Sequence, residues 1–305
     1  MSAPNKDSRD QKQPSSISRR TFIKMSGATS LALATPIRGD EQTTESIRIG
    51  LITDIHYADL DTAGSRHYRD SITRVREAVK VFNDAKPDIV ICPGDLIDAG
   101  ATVEKEYAHL ETMAREFKKL NAPSRFVLGN HCVYTLTKQE FLKGVGQDHS
   151  YDALIQNGIR LVFLDACFTK TGEDYGRKNY TWTDTEIPAK ERDWLKSVLS
   201  EDQRPTLVFV HQRLDVEGSY GVHSAKEVRK ILEDSQQVVA VFQGHNHVND
   251  HKTINGIHYL TMNAVIEGPA PTNNSFAVLE YSPADQQIHI EGHHHQEDYT
   301  LSSQA

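Results

Sequence analysis

Cysteine is scarce: the 305-residue chain has three, at positions 92, 132 and 167. That supply cannot build a disulfide framework, so the fold must rest on a hydrophobic core. Excess positive charge is also lacking. With 34 Lys and Arg against 42 Asp and Glu the net charge is −8, which argues against a nucleic-acid binder working through a general basic field. No apolar run is long enough for a membrane-spanning helix. The stretch Met25 to Ala34 has about ten residues, where a bilayer needs roughly 20. Internal repeats and long low-complexity linkers are missing as well, and the evenly spread apolar runs favour one large domain.

What the chain does have is a series of short polar clusters, each just after an apolar run. The runs Ile49-Gly50-Leu51-Ile52, Ile89-Val90-Ile91-Cys92, Phe126-Val127-Leu128, Leu207-Val208-Phe209-Val210 and Val238-Val239-Ala240-Val241-Phe242 have the length and β-branched content of buried strands. They are followed by Asp54 and His56, by Asp95 and Asp98, by Asn130 and His131, by His211, and by His245 and His247. The polar residues therefore share one strand-end rim, where sheet proteins usually bind ligands. Helical spacing over Tyr68 to Asn83 and Val103 to Leu120 supplies crossovers between parallel strands. Ala189 to Leu199 and Ser224 to Glu233 also read as helices. Asn255-Gly256, between Lys252 to Ile254 and Ile257 to Met262, is a hairpin signal. Phe276 to Tyr281 and Gln287 to Glu291 are further strands. The expected architecture is a mixed α/β sandwich of two sheets flanked by helices, a βαβαβ half joined to a more antiparallel half. Cys92 and Cys167 read as small core residues.

The chemistry of the rim follows from its donors. Asp54 and His56 lie two residues apart and face the same way on an extended strand end. Asp95 follows Pro93-Gly94, where glycine allows a sharp turn, and its two oxygens can bridge two cations. Asn130 adds a neutral oxygen; His211, His245 and His247 add nitrogen. This mixture suits Mn, Fe, Zn or Co better than Ca or Mg. Seven ligands sharing Asp95 divide between two ions, and a pair about 3.5–4 Å apart can hold a hydroxide nucleophile for in-line attack on a phosphoryl group. No Ser or Cys with a base and an orienting partner offers a covalent route.

These residues resemble the calcineurin-like metallophosphoesterases. The likeness covers residues 47 to about 265, through Asp54-x-His56, Gly94-Asp95-x-x-Asp98, Gly129-Asn130-His131, His211 and Gly244-His245-x-His247. It implies two divalent or trivalent transition metals (Mn, Fe or Zn). Asp54, His56, Asp95 and His247 would hold one, and Asp95, Asn130, His211 and His245 the other. His131 would face the leaving group, oriented by Asp98. One position departs: the family usually has Asp or Glu after Gly-Asn-His, and this chain has Cys132. A narrower stretch, Asp54-Ile55-His56-Tyr57-Ala58-Asp59 followed by Arg66-His67-Tyr68-Arg69-Asp70-Ser71, is similar to the Mn-dependent ADP-ribose/CDP-alcohol diphosphatases, which typically have Gln in place of His56. On that likeness Arg66 or Arg69 would contact a second phosphate, and Tyr57 or Tyr68 would stack on a base. The other reading has Tyr68 and Arg69 only starting and packing a helix.

The N-terminus carries a separate signal. Ser18-Arg19-Arg20-Thr21-Phe22-Ile23-Lys24 followed by Met25 to Ala34 resembles a twin-arginine export signal. The implied organisation is a signal over 1–34, a linker over 35–46, a phosphoesterase domain over 47–292 and a solvated tail over 293–305 that includes His293-His294-His295. The twin-arginine machinery would carry the folded, metal-loaded protein to the periplasm or beyond, without a stable transmembrane anchor. The expected function is hydrolysis of phosphate esters or pyrophosphates of small molecules. The alternatives are a phospho-ligand binding protein that has lost catalysis, a cyclic-nucleotide phosphodiesterase, and a nuclease; the acidic balance weighs against the last. Substrate choice would depend on the loops Ala58 to Arg69, Val133 to Asp152 and Ala166 to Pro188, the last forming a lid or rim.

Overall fold

The first strand, β1 (Ile47–Leu51), sets the pattern: Ile47, Ile49 and Leu51 point into one layer, while Gly50 faces the other way, against the Phe82 ring. A Cβ at Gly50 would come within 2.9 Å of that ring, so a glycine is what allows the helix behind to approach. That helix is α1 (Ser71–Ala85), entered through a 3-10 turn over Tyr68–Asp70. It leads to β2 (Ile89–Cys92), α2 (Val103–Phe117) and β3 (Ser124–Phe126). β1, β2 and β3 are parallel neighbours, as the helical crossovers require.

The structure is a computed structural model and describes residues 45–303. The export signal expected over 1–34 and most of the linker lie outside the described residues. Among the described residues no helix is long and apolar enough to cross a membrane.

After β3 come α3 (Lys138–Val145) and the hairpin of β4 (Asp152–Gln156) and β5 (Ile159–Phe163). The chain continues through α4 (Ala189–Leu199), β6 (Thr206–Phe209), α5 (Ala225–Ser235) and β7 (Val238–Gln243). The expected hairpin about Asn255-Gly256 is formed by β8 (Asp250–Ile254) and β9 (Ile257–Thr261), both turn residues having positive φ. Last are β10 (Ser275–Ser282), β11 (Gln287–His294) and β12 (Tyr299–Ser302).

The strands form two six-stranded sheets, ordered β12-β11-β10-β1-β2-β3 and β4-β5-β6-β7-β9-β8. Residues of alternate parity separate the layers. Ile89 and Ile91 join Phe163, Phe209 and Phe242 between the sheets, and the three phenylalanine rings stack across adjacent parallel strands 5.5 and 5.3 Å apart. Val90 and Cys92 point outward to α1 and α2; Val162, Val208 and Val241 point outward to α4 and α5. The mixed two-sheet sandwich flanked by helices is the expected fold.

Three details differ from expectation. The antiparallel strands do not form a separate half: β10 pairs with β1, so the end of the chain extends the first parallel sheet. Residues 133–152, read as a loop, contain α3. It opens with a complete capping box between Thr137 and Glu140 and buries Phe141 and Leu142. The tail expected to be solvated beyond 292 is folded. β12 pairs with β11, Tyr299 and Leu301 pack against the layer between the sheets, and His293 stacks on Phe276 at 4.6 Å. His294 Nε2 lies 2.8 Å from Glu77 Oε1. An edge strand with buried Ile288 and Ile290 leaves its outer backbone free to pair, and residues 299–302 fill that position.

Candidate metal centre

The strands deliver their polar clusters to one rim, and the backbone is strained to do so. Asp54, His56, Asp95, His245 and His247 all have φ between 46° and 71°. Such left-handed conformations cost non-glycine residues on the order of 1–3 kcal/mol each and tend to cluster at functional sites. Two glycines make room. A Cβ on Gly94 (φ 117°) would collide with the His211 ring, and one on Gly244 would collide with Asp54 Oδ2.

The side chains converge in two sets. In the first, His56 Nε2 lies 3.1 Å from His247 Nε2, 3.7 Å from Asp54 Oδ1 and 3.5 Å from Asp95 Oδ2. His247 Nε2 lies 3.4 Å from Asp54 Oδ1. In the second, His211 Nε2 is 3.1 Å from Asp95 Oδ2, and the His211 and His245 ring centroids are 5.0 Å apart. Candidate donor atoms of Asp54, His56 and His247, and those of Asp95, His211 and His245, each fall within 4.8 Å of one another. Among the described residues Asn130 Oδ1 and His245 Nε2 have no hydrogen-bond partner, although both are buried. Unpaired buried polar atoms are costly, so their presence on residues that line one cleft marks a place for a cation. Asp95 faces both sets, and the donors fit two metal ions.

A second layer of contacts sets the tautomers. His211 Nδ1 donates to Pro93 O at 3.0 Å and His247 Nδ1 to Glu267 Oε1 at 2.6 Å, which turns each Nε2 toward the metals. Asp98 Oδ2 accepts from His56 Nδ1 at 3.1 Å and from Arg66 Nη1 at 3.3 Å, while its Oδ1 accepts from His131 Nδ1 at 2.9 Å. One carboxylate thus orients a ligand, a cation and His131. His131, Arg66, Trp182, Tyr220 and Asn246 complete the wall of a cleft of about 390 Å³ around the metal ligands.

A family model for calcineurin-like phosphoesterases matches residues 47–249. The chain belongs to this family. A manganese-dependent ADP-ribose/CDP-alcohol diphosphatase from Arabidopsis thaliana is 28% identical over 76% of this chain and 89% of its own length. The Danio rerio protein of the same name is 23% identical over 83% of this chain and 97% of its own. The crystal structure of a dimetal phosphatase from Danio rerio superposes with a TM-score of 0.75 at 20% identity, covering 84% of this chain and 99% of that one. This phosphoesterase is accordingly a metal-dependent hydrolase of phosphoester or phosphoanhydride bonds that uses two metal ions.

Of the residues expected at the site, Asp54, His56, Asp95, Asp98, Asn130, His131, His211, His245, His247 and Arg66 come together. Arg69 does not: it pairs with Asp59 and Asp61, at 2.5 Å each, outside the cleft. Tyr57 packs edge-on against His109 at 6.0 Å and is also absent from the cleft wall. Cys132 is fully buried in the core beneath α2, where burial pushes its thiol up and out of reach of ionisation. A carboxylate nonetheless serves the segment after it. Glu106 of α2 accepts from the backbone N–H groups of Thr135 and Leu136 at 2.9 and 3.0 Å. Glu267, Trp182, Tyr220 and Asn246 were not foreseen. They lie in loops without periodicity, and no local pattern marks them.

Burial opposes ionisation of Asp54, Asp95 and Asp98, but the surrounding imidazoles outweigh it and hold all three carboxyls well below the ordinary range. Burial, and then the charge on His211, pushes His245 down to about 3. Burial also opposes a charge on His247, yet its hydrogen bonds to Asp54 and Glu267 prevail and raise it to about 9. Without metal, His247 is therefore protonated at neutral pH, and a metal must displace that proton. Metal affinity should accordingly rise with pH up to about 9, with proton release on loading. Titration calorimetry in buffers of different ionisation enthalpy checks this, and an affinity flat between pH 6 and 9 would contradict it. The geometry also separates ligands from His131. Asp95→Asn should strip metal, whereas His131→Ala should keep two metals per chain by elemental analysis and lose roughly a hundred- to ten-thousandfold in kcat.

Proposed function

We propose that this phosphoesterase hydrolyses the pyrophosphate bond of small nucleotide-linked molecules, and that it acts after export. The observation that carries the substrate reading is Arg66. Among the described residues it is the one Lys or Arg lining the cleft, and it shares Asp98 with His131. A leaving group that meets both a guanidinium and an imidazole is best an anion, as a departing phosphate is and an alcohol is not. The names of the related diphosphatases support the same reading.

When bound, the two metals supply an activated water and Lewis acidity toward the phosphoryl oxygens. The chain's own residues do the rest. Asp98 holds His131 Nδ1, so the remaining nitrogen, Nε2, is the one that gives a proton to the bridging oxygen as it leaves. Arg66 takes up the charge of the departing phosphate. Every ligand position and His131 are filled, which favours catalysis over a binding protein that has lost it.

Export rests on the Arg19-Arg20 motif and the apolar stretch after it. Replacing both arginines by lysine should leave the protein in the cytoplasmic fraction of expressing bacteria. Equal export of wild type and variant would remove the twin-arginine route.

For the substrate, the manganese-loaded enzyme should prefer ADP-ribose over an aryl phosphate monoester, an aryl phosphodiester and cyclic AMP, with Asp95→Asn inactive on all. Arg66→Ala should lower kcat/KM for ADP-ribose by roughly tenfold or more, and for the aryl monoester by less. A preference for cyclic AMP would favour the phosphodiesterase reading, and no turnover despite two bound metals would favour a binding role.

A further inference from the structure

Among the described residues only three tyrosine, tryptophan or phenylalanine side chains are exposed by more than about a third: Tyr134, Trp182 and Tyr220. Two of them meet. Trp182 and Tyr220, 40% and 44% exposed, have ring centroids 5.5 Å apart and stand 5.5 and 5.7 Å from the ring of His245. Both line the metal cleft. Leaving large apolar rings facing water over a charged site is unfavourable unless something covers them in use.

The rings are held in place from below. Two residues before Trp182, the Tyr180 ring stacks on Tyr175 at 3.7 Å, and its hydroxyl donates to the backbone oxygen of Asn130, a metal ligand. Tyr220 is fixed through its own carbonyl, which accepts from Arg213 N at 3.1 Å. Arg213 lies two residues after His211 and is clamped by Asp215 and Asp250. Each loop is therefore tied to the segment that carries a metal ligand, and the two aromatic faces are preorganised relative to the metals.

The cleft is polarised as a result. Arg66, Asp98 and His131 occupy the side toward His56; Trp182, Tyr220 and Asn246 gather with His245 on the other. We infer that Trp182 and Tyr220, tilted against each other at 51°, form an aromatic platform on which the planar base of a nucleotide stacks while its phosphate is held at the metals, with Asn246 bringing a side-chain amide to the base edge. This rests on the pyrophosphate reading above and adds to it which substrates are chosen. Stacking suits a base better than an alkyl group because each ring offers a π-face.

Two measurements test the platform. In a Trp194→Phe background Trp182 is the one remaining tryptophan. With manganese present, AMP should quench its fluorescence saturably, and ribose 5-phosphate, the same molecule without a base, should not. In turnover, ADP-ribose is compared with bis(5-ribosyl) pyrophosphate, which has the same anhydride and no base. The Trp182→Ala/Tyr220→Ala variant should lose the preference for the base-bearing substrate by roughly 5- to 150-fold, mainly through KM. Trp182→Phe with Tyr220→Phe should restore most of it. Equal losses on both substrates would reduce the rings to packing around His245 and overturn the proposal, as would an unchanged preference or equal quenching by both ligands. If neither pyrophosphate is hydrolysed while AMP still quenches selectively, the aromatic platform stands and the pyrophosphate reading falls.

Discussion

The structure depends on the electrostatic truce around Asp95. Asp54, Asp95, His56 and His211 are completely or almost completely buried within a few ångströms of one another. Removing any one of these charges from water costs roughly several kcal/mol after relaxation. The cluster is tolerable because carboxylates and imidazoles alternate around Asp95. Each carboxyl is kept ionised by neighbouring rings, and His245, pressed against His211, is kept neutral by burial and that neighbour. Among the described residues, three donor atoms nonetheless remain without a hydrogen-bond partner, Asn130 Oδ1, His211 Nε2 and His245 Nε2. Protein groups alone do not complete the arrangement, which is consistent with a centre that depends on two metals for its final balance.

That balance also joins the two sheets. Asp54, His56 and Asp95 follow β1 and β2 of one sheet, and Asn130 follows β3; His211, His245 and His247 follow β6 and β7 of the other. Between the sheets lies a dry layer of Ile, Leu and Phe. The metal centre sits where that layer ends, so the low-dielectric interior beside it strengthens the interactions among its charged groups. The left-handed residues after β1, β2 and β7 are the local cost of turning these three segments toward the rim.

Around the centre, the wall is made by loops that carry no regular structure but are held by particular contacts. Arg66 is placed by Asp98, Glu267 by His247, Trp182 through Tyr180, and Tyr220 through Arg213. The first three contacts run back to a candidate metal ligand or to a residue that orients one, and Arg213 lies two residues after His211. The wall of the cleft and the candidate metal ligands are therefore mechanically linked.

Much of this was legible in sequence. Apolar runs of strand length, each ending in a donor cluster, determined five of the parallel strands, the rim and the seven candidate ligands that gather there, because strand periodicity and the residues just beyond a strand end are local features. Some local signals went unread: the Thr137-to-Glu140 capping box of α3 and the Asn157-Gly158 turn between β4 and β5. Other features had no local signal. That β10 would pair with β1, that residues 299–302 would close an edge, that Arg69 would be drawn to Asp59 and Asp61 while Arg66 reached Asp98, and that Trp182 would meet Tyr220 were decided only in the folded chain. The sequence by itself determined which atoms could hold the metals. Tertiary packing decided which side chains surround them, because loops take their positions from distant partners rather than from their own periodicity.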